Sequence, residues 1–204
     1  RDSSTSRGLG DVYKRQEFKL LRSLNALTHE DISVKSVRRQ ASDFSARFSC
    51  TMREYKYFIC TDAYKPLLMK GFCWHIPKEL DLEAMRAAAA YLIGEHDFKS
   101  FCMAASAEGK STMRNVFSID VSCEDAWGEN LVVITVKGNA FLHSMVRTIV
   151  GTLVAVGLGR RRPEWIAEVL EARNRAAAGE NAPAQGLVFW NVSYEGERVH
   201  NPLK

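Results

Sequence analysis

The chain has 204 residues, 46% hydrophobic and 25% charged, with a net charge of +4. That composition excludes collagen-like, disordered and coiled-coil chains, and the length can bury a real core in one large domain or two small ones. The small positive excess permits an RNA or phosphate partner without requiring one.

Residues 1–16, RDSSTSRGLGDVYKRQ, are polar and Ser- and Arg-rich, with no periodicity. They read as a flexible or artefactual leader, foreign to the rest of the chain. The pattern then opens abruptly. Phe18, Leu20, Leu21, Leu24 and Leu27 have the spacing of the end of an amphipathic helix. Residues 32–37 alternate apolar and polar, which predicts a strand. A polar-aromatic connector, 43–49, leads to an aromatic-rich strand at 52–61. A loop at 62–66 and a returning strand at 71–76 complete a predicted hairpin. Residues 80–94 give the clearest helix, with Asp81 placed to cap it and Gly94 to end it. Strands are predicted at 113–123 and 131–136, separated by a turn at 124–130.

A second helix, 140–156, is apolar on nearly every side, with Phe141, Met145, Val146, Ile149, Val150, Leu153 and Val156 as its core. Such a helix lies deep in a core or an interface. Pro163 opens a third helix, 163–173. A loop at 179–185 precedes a last strand, 187–194. The order predicts an α+β fold, an antiparallel or mixed sheet with helices on one face, close to a ferredoxin-like unit. Three segments result: the leader 1–16, the end of an N-terminal subdomain with the hairpin at 17–79, and a C-terminal α/β subdomain at 80–204.

The five cysteines are scattered, with no C-x-x-C and no His at ligand spacing. That argues against a zinc site and for reduced, buried thiols in a cytoplasmic protein. No membrane span and no export signal is visible. Walker, G-x-G-x-x-G, G-x-S-x-G and H-E-x-x-H motifs do not occur.

Arg147 is the one formally charged side chain between Ala140 and Val156. An unpaired guanidinium is costly to bury, so this position calls for an anionic partner. His143 lies four residues earlier, on the same face of the predicted helix. Tyr55, Tyr57 and Arg53 share one face of a predicted strand, with Lys56 on the other. Aromatic rings interleaved with cations suit RNA, although a half-buried strand packing on a helix has the same pattern. Basic residues also gather at Lys35, Arg38 and Arg39, at Lys110 with Arg114, and at Arg160, Arg161 and Arg162. Arg53, His143, Lys110 and Arg114 are the candidate RNA contacts. Asp62 sits in a hairpin loop and reads as a turn residue.

Together these stretches resemble one family. DFSARFSCTMREYKYF (43–58) is similar to the DF-x-ARFSA-x-x-R-x-Y-x-Y signature of TruA-type tRNA pseudouridine synthases. GNAFLHSMVRTIVGTL (138–153) resembles their NAF-x-HHMVR-x-IVG-x-L helix. GEHDFKSF (94–101) and APAQGL (182–187) match two further motifs, in family order. The resemblance implies isomerisation of uridine to pseudouridine in the tRNA anticodon stem-loop, by a cytoplasmic homodimer that uses no cofactor. It places Tyr55 against the target base and Arg147 against a catalytic aspartate.

The family's aspartate belongs to a GRTDAGVH motif that this sequence does not contain. The expectation is therefore an N-terminally truncated synthase that lacks half of its catalytic sheet. It would expose apolar surface and have no turnover of its own. Two rival readings are a non-catalytic α+β RNA-binding module and a dimerisation domain built on the apolar helix.

Overall fold

The computed structural model describes residues 5–103, 108–195 and 197–198. The chain forms two compact units, Arg1–Ser45 and Ala46–Lys204.

The first unit is built on helix α1 (Thr5–Leu27). It begins inside the stretch expected to be an unstructured leader. A helix nucleated downstream extends one hydrogen bond at a time and needs no apolar stripe to do so. The strand expected at 32–37 does not form. The Val34 N–H donates to Asn25 Oδ1 at 2.8 Å, and Asn25 Nδ2 donates to the Val34 carbonyl at 2.9 Å. One amide side chain thus takes the place of a neighbouring strand.

The second unit holds one seven-stranded sheet in the order β3-β4-β5-β1-β6-β7, with β2 beside β1. Its strands are β1 (Cys50–Cys60), β2 (Trp74–His75), β3 (Gly94–Asp97), β4 (Met113–Ala126), β5 (Glu129–Gly138), β6 (Leu187–Tyr194) and β7 (Glu197–Arg198). β1 is central, antiparallel to β5 over residues 53–60 and to β6 over 50–57. Because β6 pairing stops at Tyr57, Ile59 and Cys60 keep an open edge, and β2 occupies it in parallel. The expected hairpin is therefore wrong. The connecting residues supply the length that a parallel return needs.

The expected turn at 124–130 is mostly strand. β4 and β5 reverse through Trp127 (φ 55°) and Gly128 (φ 86°), and Ala126 pairs with Glu129. Two left-handed residues make the tight hairpin turn that matches strand twist.

Helix α2 (Leu82–Ala90) starts where expected, with Asp81 accepting from the Ala84 N–H at 2.9 Å. It ends before Gly94, which instead opens β3 at φ 105°. The apolar helix, α3 (Met145–Gly157), starts later than expected because Ser144 lies at φ 63°. Helix α4 (Trp165–Ala172) follows Pro163. The helices and the 3-10 turn Phe98–Phe101 cover one face of the sheet. There Tyr57, Ile59, Ile134 and Val136 meet Met85, Leu92, Ile149, Leu153 and Ile166. Full burial of such side chains contributes about 1.5–3 kcal/mol each, so this layer fixes the second unit.

On the opposite face Cys60, Cys73, Leu131 and Val133 form a smaller cluster. Glu129 accepts the N–H groups of Leu67, Leu68 and Met69 at 2.6–2.9 Å, which holds the adjacent loop. Asp62 is a turn residue as expected, accepting the backbone N–H and the side-chain amide of Asn130. The cysteines are all free, but only Cys60, Cys73 and Cys102 are buried. Cys50 is half-buried and Cys123 is exposed, which corrects the expectation of five buried thiols. Among the described residues no helix is long and apolar enough to cross a membrane.

Candidate active site

The period of two along β1 sets Arg53, Tyr55, Tyr57 and Ile59 toward the helices. A bulge in β6 completes this face. Glu54 pairs with Asn191 but Tyr55 with Phe189, so Trp190 is the extra residue. The bulge brings Phe189 against Tyr55, with ring centroids 5.1 Å apart. It sends Trp190 to the other face, where Lys56 Nζ lies 4.4 Å from its ring centroid.

The two tyrosines have different surroundings. Tyr57 is fully buried, and its hydroxyl donates to the Pro183 carbonyl at 2.7 Å. Burial pushes its pKa well above the ordinary tyrosine value, and the nearby Arg147 guanidinium opposes the rise. Tyr55 is half-buried, edge-on to Phe141 at 5.3 Å. Burial raises its pKa too, against Arg53. It is therefore a neutral donor at physiological pH. Among the described residues nothing bonds the Tyr55 hydroxyl.

Arg147 is the third residue of α3. Its Nε donates to the Ala182 carbonyl at 2.6 Å, and its own carbonyl accepts the Ala182 N–H at 3.1 Å. Among the described residues no carboxylate pairs with it. Arg147 is half-buried, its guanidinium is oriented through Nε, and its terminal nitrogens have no hydrogen-bond partner among the described residues. Arg147 and Tyr57 thus meet consecutive carbonyls of one strap, Ala182 and Pro183. Tyr55 lies two residues further along the same strand face, roughly 7 Å away at the strand rise.

The strap is pressed onto α3. A Cβ on Gly151 would lie 1.9 Å from the Glu180 carbonyl oxygen. A Cβ on Gly186 would lie 2.6 Å from the Tyr57 ring, where the strap turns into β6. Thr152 Oγ1 accepts the Gly179 N–H at 3.1 Å. Sequence pattern singled out none of Thr148, Thr152, Asn181 or Phe189; only the APAQGL match pointed at this segment.

The remaining candidates are dispersed. Arg53 donates to the Asn139 carbonyl at 2.6 Å and the Arg47 carbonyl at 2.7 Å. Its guanidinium locks two connectors rather than standing free for RNA. His143 does not stack above Arg147, because α3 begins only at Met145. It is exposed, and its carbonyl faces the Met103 N–H at 3.4 Å. Lys110 is exposed in a turn. Arg114 donates to the Ser111 and Met113 carbonyls, while its Nε is buried without a partner among the described residues. Among the described residues no group of three His, Cys, Asp or Glu could hold a metal ion.

A family model described as tRNA pseudouridine synthase matches residues 88–195. The chain is 39% identical over 175 residues to tRNA pseudouridine synthase A of Bacillus subtilis, covering 85% of this chain and 68% of that protein. It is 42% identical over 172 residues to tRNA pseudouridine synthase A of Thermotoga neapolitana, covering 84% and 68%. For the protein of that name from Bacillus pumilus the figures are 40% over 174 residues, 85% and 68%. The region matched by the family model carries Arg147 and the strap that its Nε meets, and the chain belongs to the tRNA pseudouridine synthase family of isomerases.

Proposed function

We propose that the Tyr55–Arg147 face receives a uridine of the tRNA anticodon stem-loop, extruded from its stack. The observation that supports this is a half-buried arginine whose guanidinium is held by the Ala182 carbonyl and pairs with no carboxylate among the described residues. Isomerisation exchanges the C1′–N1 bond of uridine for a C1′–C5 bond; C5 loses its proton and N1 gains one. Arg147 supplies fixed positive charge where a carboxylate must be kept ionised next to the base. Tyr55 supplies a ring beside the base and a neutral O–H donor. Phe141 and Phe189 hold the Tyr55 ring between them, and the exposed Phe189 offers a further ring to the base.

The 204 residues contain no GRTDAGVH stretch. We therefore assign this chain uridine binding without turnover of its own; its likeness to the family supports, as a separate proposal, a homodimeric assembly on tRNA. The test uses tRNA tritiated at uracil C5, from which isomerisation releases tritium. The expected result is salt-dependent binding with no release, since phosphate contacts dominate such affinity. Tritium release above background by the purified chain would overturn the assignment. Sedimentation at micromolar concentration tests the dimer, with a monomer as the contrary result.

A further inference from the structure

We propose that Asn181, acting through Thr148, is a positioning residue for Arg147; the proposal rests on Arg147 being the arginine of the uridine site. The Thr148 side chain is fully buried, one residue beyond Arg147 on α3. Its hydroxyl lies 2.6 Å from Asn181 Oδ1 and 3.1 Å from the Ser144 carbonyl. A hydroxyl has one proton to donate. The Asn181 Oδ1 contact is the shorter by 0.5 Å and that oxygen only accepts, so the proton goes to Asn181. Asn181 itself is solvent-exposed. Its bond adds little apolar burial, yet it ties the strap to the helix turn that carries Arg147.

The residue after Asn181 is Ala182, whose carbonyl and N–H take the Arg147 Nε and carbonyl. The next is Pro183, whose carbonyl takes the Tyr57 hydroxyl. Among the described residues, Asn181 is the strap residue between 180 and 183 whose side chain bonds α3. Without it the Ala182 carbonyl is held to the helix by Arg147 alone. The guanidinium's acceptor, still tied through the Ala182 N–H and the Tyr57–Pro183 bond, then has more freedom to shift, and the terminal nitrogens lose part of their defined direction. A ligand anion would have to order them at the moment of binding.

The experiment compares the full chain with N181A, T148V and T148S. Two quantities are read: exchange of the Arg147 Nε–H by nitrogen-15 NMR, and affinity for tRNA at one salt concentration. N181A and T148V should exchange that proton about five-fold faster and bind tRNA about three- to ten-fold more weakly, the effect of one hydrogen bond. T148S loses the methyl group but keeps the hydroxyl, so it should behave like the starting chain. Equal behaviour of T148S and T148V, or unchanged Arg147 Nε–H exchange in N181A, would overturn the positioning role. R147A separates the two readings. If R147A binds tRNA as the starting chain does, the site assignment fails. If R147A binds weakly while N181A binds normally, the positioning inference alone fails.

Discussion

Gly151→Ala tests how tightly the strap is set on α3. Gly151 is buried in the middle of that helix, and an added Cβ would meet the Glu180 carbonyl oxygen at 1.9 Å, its carbon at 3.0 Å and the Ala182 nitrogen at 3.3 Å. In a free helix the change would stabilise by about 1 kcal/mol, because Ala is the better helix former. Here the obstacle is backbone and cannot rotate away. The carbonyl must retreat from 1.9 Å to at least 3.0 Å. Overpacking of that kind costs about 1–3 kcal/mol. The same movement stretches the 2.6 Å Thr148–Asn181 and Arg147–Ala182 bonds, each contributing about 1 kcal/mol. The steric and hydrogen-bond losses exceed the helix gain, leaving a net destabilisation of about 2–4 kcal/mol. Urea unfolding followed by circular dichroism should show a midpoint about 1–2 M lower, with secondary structure retained before the transition. A G151A chain as stable as the original, or more so, would refute the packing described for the strap.

Tyr55→Phe should leave the urea midpoint unchanged and weaken tRNA binding, because the Tyr55 hydroxyl has no partner among the described residues. Tyr57→Phe should do the reverse in stability, costing about 1–2 kcal/mol by removing the partner of the half-buried Pro183 carbonyl; equal effects of the two changes on stability would contradict their separate roles. Arg53→Lys should cost about 1 kcal/mol in the same assay, since one ammonium cannot serve both the Asn139 and Arg47 carbonyls; weaker tRNA binding at unchanged stability would instead make Arg53 an RNA contact. Acid should loosen the loop beside β2. Bonds from the Asn130 side chain and backbone hold Asp62 below its ordinary 3.8. Burial pushes Glu129 up, but the N–H groups of Leu68, Met69 and Leu67 outweigh it and hold the group below 4.5. A depressed folded pKa contributes stability that is fully present above the unfolded value and is lost as pH falls through the folded one. The urea midpoint should therefore drop below about pH 4.5, and D62N/E129Q should flatten that drop; an identical pH profile in the double variant would rule these carboxylates out.

The parts of the fold that were legible in the sequence are those a local pattern specifies. Alternation placed Tyr55 and Tyr57 on one face of β1, the all-round apolar run marked α3 as buried, and Asp81 marked the start of α2. Features set by distant segments were not legible. Residues 32–37 alternate like a strand, but Asn25 rather than a strand meets Val34. The pairing of β2 depended on where β6 stopped, a fact about a segment far along the chain. The left-handed Ser144 moved His143 off the helix and away from Arg147. At the site, Arg147 stood out as a lone charge in an apolar helix, and Tyr55 by family motif. Phe189 did not, because a bulge at Trp190 decides which face it joins. Nor did Asn181, whose role exists only through a buried threonine in another element.

The central claim is that the face carrying Tyr55 and Arg147 receives the uridine. An anticodon stem-loop RNA with 4-thiouridine at its uridine positions, photo-crosslinked to the 204-residue chain and mapped by mass spectrometry, tests this most directly. The account predicts crosslinks to Tyr55, Phe189 or the residues flanking Arg147, lost in R147A and in Y55A. Crosslinks confined to the opposite face, at Lys56, Trp190 or the Trp127 hairpin tip, would contradict it.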